Sequence, residues 1–496
     1  MNFDYGEASA ALASTLGGAG CNGSVTRDVG GGRKIIGSLE AAIRASNLRD
    51  GSTISFHHHY RNGDHVMNRV LAEIDRLGLR DIRVAASSIF PNNTMMTDLM
   101  ERGVIRGIVT DYIAGPVAEA VMRGKLTSPL ILQSHGGRAR AILSGQLQID
   151  AAFIGASLAT TEGAATGRFG PCPCGPLGYA MVDAQAARKV VVVAAATCEP
   201  CPMPFEIAAH QVDHVVEVPL VGDVAGIASG STRPAATPES VKVSSNVAAI
   251  VAASGLLTDG FSFQTGAGGF SLAAASAVAT ELLARKSRGA FISGGITGEH
   301  VRLLRAGAVD YIYDVQSFDA AAIASSNSDW NHVPMSADNY ANPNNPNALV
   351  NRLSVMLMGA IEIDRDFDVN VALAGDGRVL GGPGGHPDTA EGCQLAIVTT
   401  ALTGGGFAKV VDKVGCSVTR GRHIDAIATD VGVCINPRRC DLIAALQTAK
   451  VPILDFEELQ AKASVKASQS RQATAGRQLR VIVEDRHGGP CDVILG

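Results

Sequence analysis

RVAASSIFPNNTMMTDLMERGVIRGIVTDYIAGP, residues 83–116, decides the fold once it is laid beside GAFISGGITGEHVRLLRAGAVDYIYDVQSFDAA, residues 289–321. Each stretch reads as a strand, a small-residue turn, a helix ending in Gly103 or Gly307, then a second strand and turn. The pairing continues in the same order. IDAAFIGASLATTEGAATG (149–167) matches LSVMLMGAIEIDRDFDVNV (353–371), and GPLGYAMVDAQAARKVVVVA (175–194) matches GHPDTAEGCQLAIVTTA (385–401). A repeat this long is a duplicated domain rather than a solenoid unit.

Outward from those blocks, strand and helix signals alternate. Val66, Val70, Ile74 and Leu77 form one stripe over 66–77, whereas VVVVAAA (190–196) reads as a strand buried on both faces, with further strands near 309–315 and 395–400. The expectation is α/β: two related open domains with largely parallel sheets, spanning 34–232 and 233–496, with a ligand cleft between them. Their joint falls near 229–240, where SGSTRPAATPES lacks large apolar residues. Residues 1–33, rich in Gly, Ala and Ser, read as a poorly ordered lead-in, and 462–478 as a polar, mobile connector. A strand pair at 479–495, turning at His487, Gly488 and Gly489, closes the second domain.

Composition excludes several function classes. A chain of 496 residues that is 46% hydrophobic but only 4% aromatic builds aliphatic cores and is not disordered as a whole. Forty-two Lys and Arg against 47 Asp and Glu leave a net charge of −5, which argues against nucleic acid as a partner. Ten cysteines are too sparse for a disulfide scaffold, and Asp4 and Glu7 stand where a secretory signal is basic, so a cytoplasmic location is expected. The apolar runs 247–257 and 270–284 are too short or too interrupted to span a membrane.

Chemistry concentrates in glycine turns after strands. QTGAGG (264–269) precedes an amphipathic helix; Gln264, Gly266, Gly268 and Gly269 can hold a phosphate or a thioester oxygen, or simply make a tight turn. No dinucleotide fingerprint or phosphate-loop lysine accompanies it, which demotes NAD and ATP. ISGGIT (292–297) places Ser293, Gly294 and Gly295 where backbone N–H groups can line an oxyanion hole. A second such turn, 381–392, holds Gly384, Gly385, His386 and Asp388. Glu362 and Asp364 share one face of a strand end, as a pair orienting substrate or as a solvated edge. His135, Arg138 and Arg140 in SHGGRARA are a counter-charge for a multi-carboxylate substrate, or a surface basic cluster. His57, His58 and His59, consecutive in a strand, cannot all face one ion; one histidine in the cleft, carried as His59 with the choice among the three left open, and no metal are expected. CPC (172–174) and CEPC (198–201) form only a loose zinc-like set crowded by prolines.

FHHHYRNGDHVMNRV, QSHGGRARAI, GFSFQTGAGG, SGGITG, YDVQSFD, EIDRDFDVNV, GGHPDTA and INPRRCDL together closely resemble the citrate lyase α-subunit family, the citrate CoA-transferase component, from about residue 34 to the C-terminus. The resemblance implies two domains of the NagB/RpiA/CoA-transferase-like fold and a homo-oligomer within a cytoplasmic complex. It also implies a lyase β subunit and an acyl carrier γ subunit that bears a phosphoribosyl dephospho-CoA group, with no cofactor bound covalently to this chain. The implied reaction converts acetyl thioester and citrate to citryl thioester and acetate. In the wider CoA-transferase superfamily the strand ending here in ISGG ends in serine and a glutamate that becomes a covalent thioester. Gly294 occupies that place, which favours a ternary, anhydride-type route; Glu299 lies five residues on, in the following helix. Ser293, Gly294, Gly295 and Glu362 are then the expected catalytic set. Gln264, Gly266, Gly268, Gly269, Gly384 and Gly385 are expected at the thioester, and His59, His135, Arg138, Arg140 and His386 at the substrate carboxylates. Citramalate or another carboxylate as acceptor, a non-catalytic docking subunit, and a sugar-phosphate isomerase using Glu362 are the alternatives.

Overall fold

The computed structural model describes residues 5–16, 32–228, 232–472, 476 and 478–496. Two large sheets dominate it, and they repeat one plan. Numbered by chain order within its own half, each has strands in the order 7-6-5-1-2-3-4. The first half runs through Thr53–Phe56, Ile82–Ala86, Ile105–Thr110, Leu130–Leu132, Ala151–Ala156, Lys189–Ala194 and His214–Glu217. The second runs through Ser262–Thr265, Gly289–Ile296, Val309–Ser317, His332–Pro334, Val355–Met358, Leu395–Thr399 and Ala426–Ala428. All pairings within these two sets are parallel. The three aligned sequence blocks fall on equivalent strands of the two halves.

Local chemistry explains the elements between the strands. In Val66–Arg76 the buried residues Val66, Val70, Ile74 lie on one stripe, and the Asp64 carboxylate accepts from Met67 N at 3.0 Å at the helix start. Pro238–Ala253 opens on a capping box, Thr237 and Ser240 each accepting from the other's backbone N–H, with proline in the first turn. Strands such as Lys189–Ala194, covered on both faces, are nearly continuous in valine and fully buried beyond their first residue.

Two expectations need correction. The strand pair Leu479–Glu484 and Pro490–Leu495 forms where expected but extends the first sheet, not the second: Val481, Ile482 and Val483 pair in parallel with Leu130, Ile131 and Leu132. That docking satisfies the otherwise open edge of Leu130–Leu132. The N-terminal stretch includes the helix Tyr5–Leu16, whose Ala8, Leu12 and Leu16 are buried, with Tyr5 Oη donating to Asp492 of the terminal pair. Residues 1–4 and 17–31 lie outside the described residues, as do 473–475 and 477 of the connector; its opening residues, 462–466, belong to the helix Phe456–Lys466. No helix among the described residues is long and apolar enough to cross a membrane.

Candidate active site

In each sheet the first strand lies between the second and the fifth, so successive connections leave it on opposite sides. Ligands of open α/β sheets lie beyond the carboxyl ends of strands at such a reversal. Beyond Phe56 come His57–His59, and beyond Thr110 and Leu132 come Asp111 and the run Gln133, Ser134, His135. Beyond Thr265 and Met358 of the second half come Gly266 and Gly359.

The two sets of strand ends meet. His135 N donates to Gly384 O at 2.8 Å, and Gly384 N donates to Asp111 O at 3.1 Å. Asp388 accepts from Ser134 Oγ and from Gly136 N, both at 2.8 Å, and Arg486 Nε stands 3.2 Å from it. Gln316 Nε2 donates to His58 O at 2.7 Å. His135 Nδ1 lies 2.8 Å from Asp111 Oδ2, and burial pushes the Asp111 carboxyl up to about 6.

A line of contacts leads from there into the second half. A Cβ on Gly385 would overlap the Tyr340 hydroxyl, which accepts from Gln264 Nε2 at 2.7 Å; Gln264 Oε1 accepts from Ser293 Oγ at 3.1 Å. Gly294 adopts φ +96, and a Cβ there would stand 2.5 Å from Gln264 Nε2. At Gly295 it would overlap the Phe318 ring. Both the left-handed backbone and the close approach demand glycine. Strand register slips between Gly294 and Gly295, a bulge of the kind that re-aims backbone groups beside active sites. The structure thus brings Ser293, Gly294, Gly295, Gln264, Gly384, Gly385 and His135 to one region. Gly266 N donates to Leu357 O at 2.7 Å beside Gly359, Gly268 opens the helix Gly269–Ala284, and Gly269 O accepts from Ala235 N at 2.9 Å.

Other expected site residues are engaged elsewhere. Arg138, 2% exposed, spends both terminal nitrogens on Asp183 at 2.9 Å, and Nη2 also reaches Ser55 Oγ at 3.0 Å. His57 Nε2 stands 3.0 Å from the same carboxylate, and the Arg138 guanidinium helps hold Asp183 far below the usual carboxylate range despite its burial. Arg138 is therefore a core strut, not a substrate counter-charge. Arg140 likewise donates to Arg486 O at 3.0 Å, Glu484 Oε1 at 2.7 Å and Gln146 Oε1 at 2.6 Å. His386 places its ring nitrogens 2.8 Å from Thr419 Oγ1 and 3.0 Å from Gly359 O; burial brings it down to about 4, so it carries no charge at neutral pH. His59 is buried, with burial lowering it to about 3, and the ring beside His135 is that of His58, 6.2 Å between centroids. Glu362 accepts from Asn370 Nδ2 at 2.9 Å and Gly415 N at 2.8 Å, and lines a cavity of about 380 Å³ with Phe407 and Lys409 that none of the strand-end glycines named above lines. Asp364 is tied to the backbone N–H groups of Asp366, Asp368 and Val414.

Asp111, Tyr179, Tyr340 and Arg61 are the residues that sequence reading missed. Asp111 carried a usable signal, an acid directly after a buried strand. Tyr179 lies 4.6 Å from the His135 ring and 4.9 Å from that of His58. Arg61 stacks between Phe90 of the first half and Phe318 of the second, its guanidinium carbon 5.4 Å and 4.7 Å from their centroids. Among the described residues no group of three or more His, Cys, Asp or Glu is placed to hold a metal ion.

Comparison with known proteins adds an independent observation. The model of the citrate lyase α-subunit family matches residues 32–496. The chain belongs to the citrate lyase α-subunit family. The citrate lyase α chain of Haemophilus influenzae is 38% identical over 462 residues, covering 93% of this chain and 92% of the relative; that of Klebsiella pneumoniae is 39% identical, covering 93% and 91%. Among solved structures, the citrate lyase α subunit of Streptococcus mutans, in complex with citrate, superposes with a TM-score of 0.92 at 38% identity, covering 95% of this chain and 93% of that one. A Pseudomonas malonate decarboxylase hetero-tetramer, 13% identical with a TM-score of 0.62, shares the fold alone, covering 89% of this chain and 86% of that one. The citrate lyase α-subunit family is the citrate CoA-transferase component of citrate lyase.

Proposed function

We propose that this chain exchanges acids at a thioester: acetyl thioester and citrate enter, citryl thioester and acetate leave. A citrate carboxylate oxygen attacks the acetyl carbonyl carbon, forming a C–O bond as the C–S bond breaks, which gives a mixed anhydride and a thiolate. The thiolate then attacks the citryl carbonyl, and acetate departs with the bridging oxygen. Each step passes through an oxyanion, and each preorganised backbone donor aimed at such an oxygen is worth about 3 kcal/mol. Holding both acyl partners in one cleft supplies much of the rest.

The observation that carries this reading is the Ser293–Gly295 strand end, where a bulge and a φ of +96 present backbone where a nucleophilic side chain would otherwise stand. Glu299 is no substitute, being held by Arg302 at 2.7 Å and by Ser276. The acetyl donor is the acetyl thioester of a CoA-type thiol on an acyl carrier subunit, and a lyase subunit consumes the citryl product, so the chain needs no resident cofactor. Its setting is a cytoplasmic complex. The test is direct: purified protein given acetyl-CoA, or the acetylated carrier, with citrate is expected to release acetate and form citryl thioester, and no citryl thioester would refute it. Citramalate offered in the same assay reports the acceptor preference.

A further inference from the structure

The three arginines buried outright among the described residues are paired: Arg138 with Asp183, Arg140 with Glu484 and Arg486 with Asp388. Arg61, partly buried, has no such partner. Its Nε and Nη1 are buried and donate to no group among the described residues, and the ionisable groups that interact with it are Tyr112, Tyr179 and His58, with no carboxylate among them. Burial brings its pKa down to about 10, so it remains a cation at neutral pH. Withdrawing a guanidinium from water without a counter-charge is unfavourable, and a ligand carboxylate would supply the missing charge.

The position is built, not incidental. Arg61 is a non-glycine residue at φ +52, its N–H donating to His58 O at 2.9 Å, in the one-turn segment Arg61–Gly63. At Gly63 a Cβ would overlap the carbonyl of Asp223, so that turn is locked against the chain behind it. Phe90 and Phe318 clamp the guanidinium plane, and Phe318 is the ring that packs onto Gly295. The cation therefore stands one aromatic ring away from the glycine bend, on the side of His58 and Tyr179.

We propose that Arg61 anchors a spectator carboxylate of the acceptor acid and so selects polycarboxylates over monocarboxylates, an inference that rests on the acyl-exchange reading above. A guanidinium fork grips both oxygens of a carboxylate. Gripped in that way a carboxylate is a poor nucleophile, so the group at Arg61 is not the one that attacks. The acceptor must then carry at least one further carboxylate to reach the Gly294 bend.

The test uses the full-length chain with Arg61→Gln and Arg61→Lys, measuring citrate binding by calorimetry without thioester, and kcat and KM with acetyl-CoA as donor. Arg61→Gln is expected to weaken citrate binding and raise its KM by about 30-fold or more, as loss of one partner of a buried charge pair does, with the KM for acetyl-CoA within about twofold of the parent. Arg61→Lys, a point charge in place of the fork, falls between. The ratio of kcat/KM for citrate over a monocarboxylate such as propionate drops by a similar factor. Removing an unpaired buried cation should leave the melting temperature unchanged or raised, whereas a structural role would lower it. Citrate binding unchanged in Arg61→Gln, or lost together with thermal stability, overturns the proposal. Parent protein that binds citrate but forms no citryl thioester overturns the acyl-exchange reading instead.

Discussion

At equivalent strand ends the two halves of this duplicated chain carry opposite kinds of chemistry. Beyond the first strand of one half stand His57, His58 and His59; beyond the first strand of the other stands Gly266. The second strand of one half is followed by Ser87 and Ser88, whereas that of the other runs through Ser293, Gly294 and Gly295. One half presents side chains, fixed from behind by buried partners such as Asp183 and Asp111; the other presents backbone, kept bare by glycine. A single duplicated frame has thus been split into a side-chain face and a backbone face, and the loop 381–388 bonds to the first half through Gly384 and Asp388.

The largest effect should come from removing what physically joins the halves. Deleting residues 479–496 strips the partner from Leu130–Leu132 and leaves Arg140 without Glu484, so the truncated chain is expected to be insoluble or to lose its cooperative unfolding transition. A soluble, normally melting truncation would show that the first sheet is complete without the strand pair. Next, Gly294→Ala places a Cβ against Gln264 at a left-handed φ, and citryl thioester formation should fall by about 10² to 10³-fold while citrate binding persists. Equal loss of both would mean that the two faces are not separable.

Arg138→Ala probes the side-chain half. It leaves Asp183 buried without its guanidinium partner, with an expected stability loss of about 3–5 kcal/mol by denaturant titration. A raised citrate KM at unchanged stability would instead restore Arg138 to substrate binding. The smallest effect concerns Asp111. Its folded pKa, about 6, lies above its ordinary 3.8, so between those values the native state binds the extra proton and stability falls as pH rises through that window. Asp111→Asn should flatten that dependence and raise the melting temperature by a few degrees at pH 7, while the unbuttressed His135 loses alignment and turnover drops.

The duplication was legible because hydrophobic pattern and turn residues are local: the blocks at 83, 149 and 175 land on the same strands as those at 289, 353 and 385. Glycine turns were legible for the same reason. Charge pairing was not, since Arg138 finds its carboxylate 45 residues away and Arg140 finds its own 344 away. Nothing near either arginine marks it as taken, and nothing near Arg61 marks it as free. The strand pair at 479–495 was readable as strands, but parallel addition to a distant edge has no local signature. Helix Tyr5–Leu16 hid in a composition rich in small residues, although Ala8, Leu12 and Leu16 recur at a helical spacing.

The central claim is that peptide groups, with no acylated side chain, host the exchange. Intact-mass measurement of the chain after incubation with acetyl-CoA and no acceptor acid, followed by acid quench, tests it most directly. Unmodified protein is expected before citrate is added, and citryl thioester after. A protein peak heavier by one acetyl or one CoA group, formed within a turnover and discharged by citrate, would contradict it.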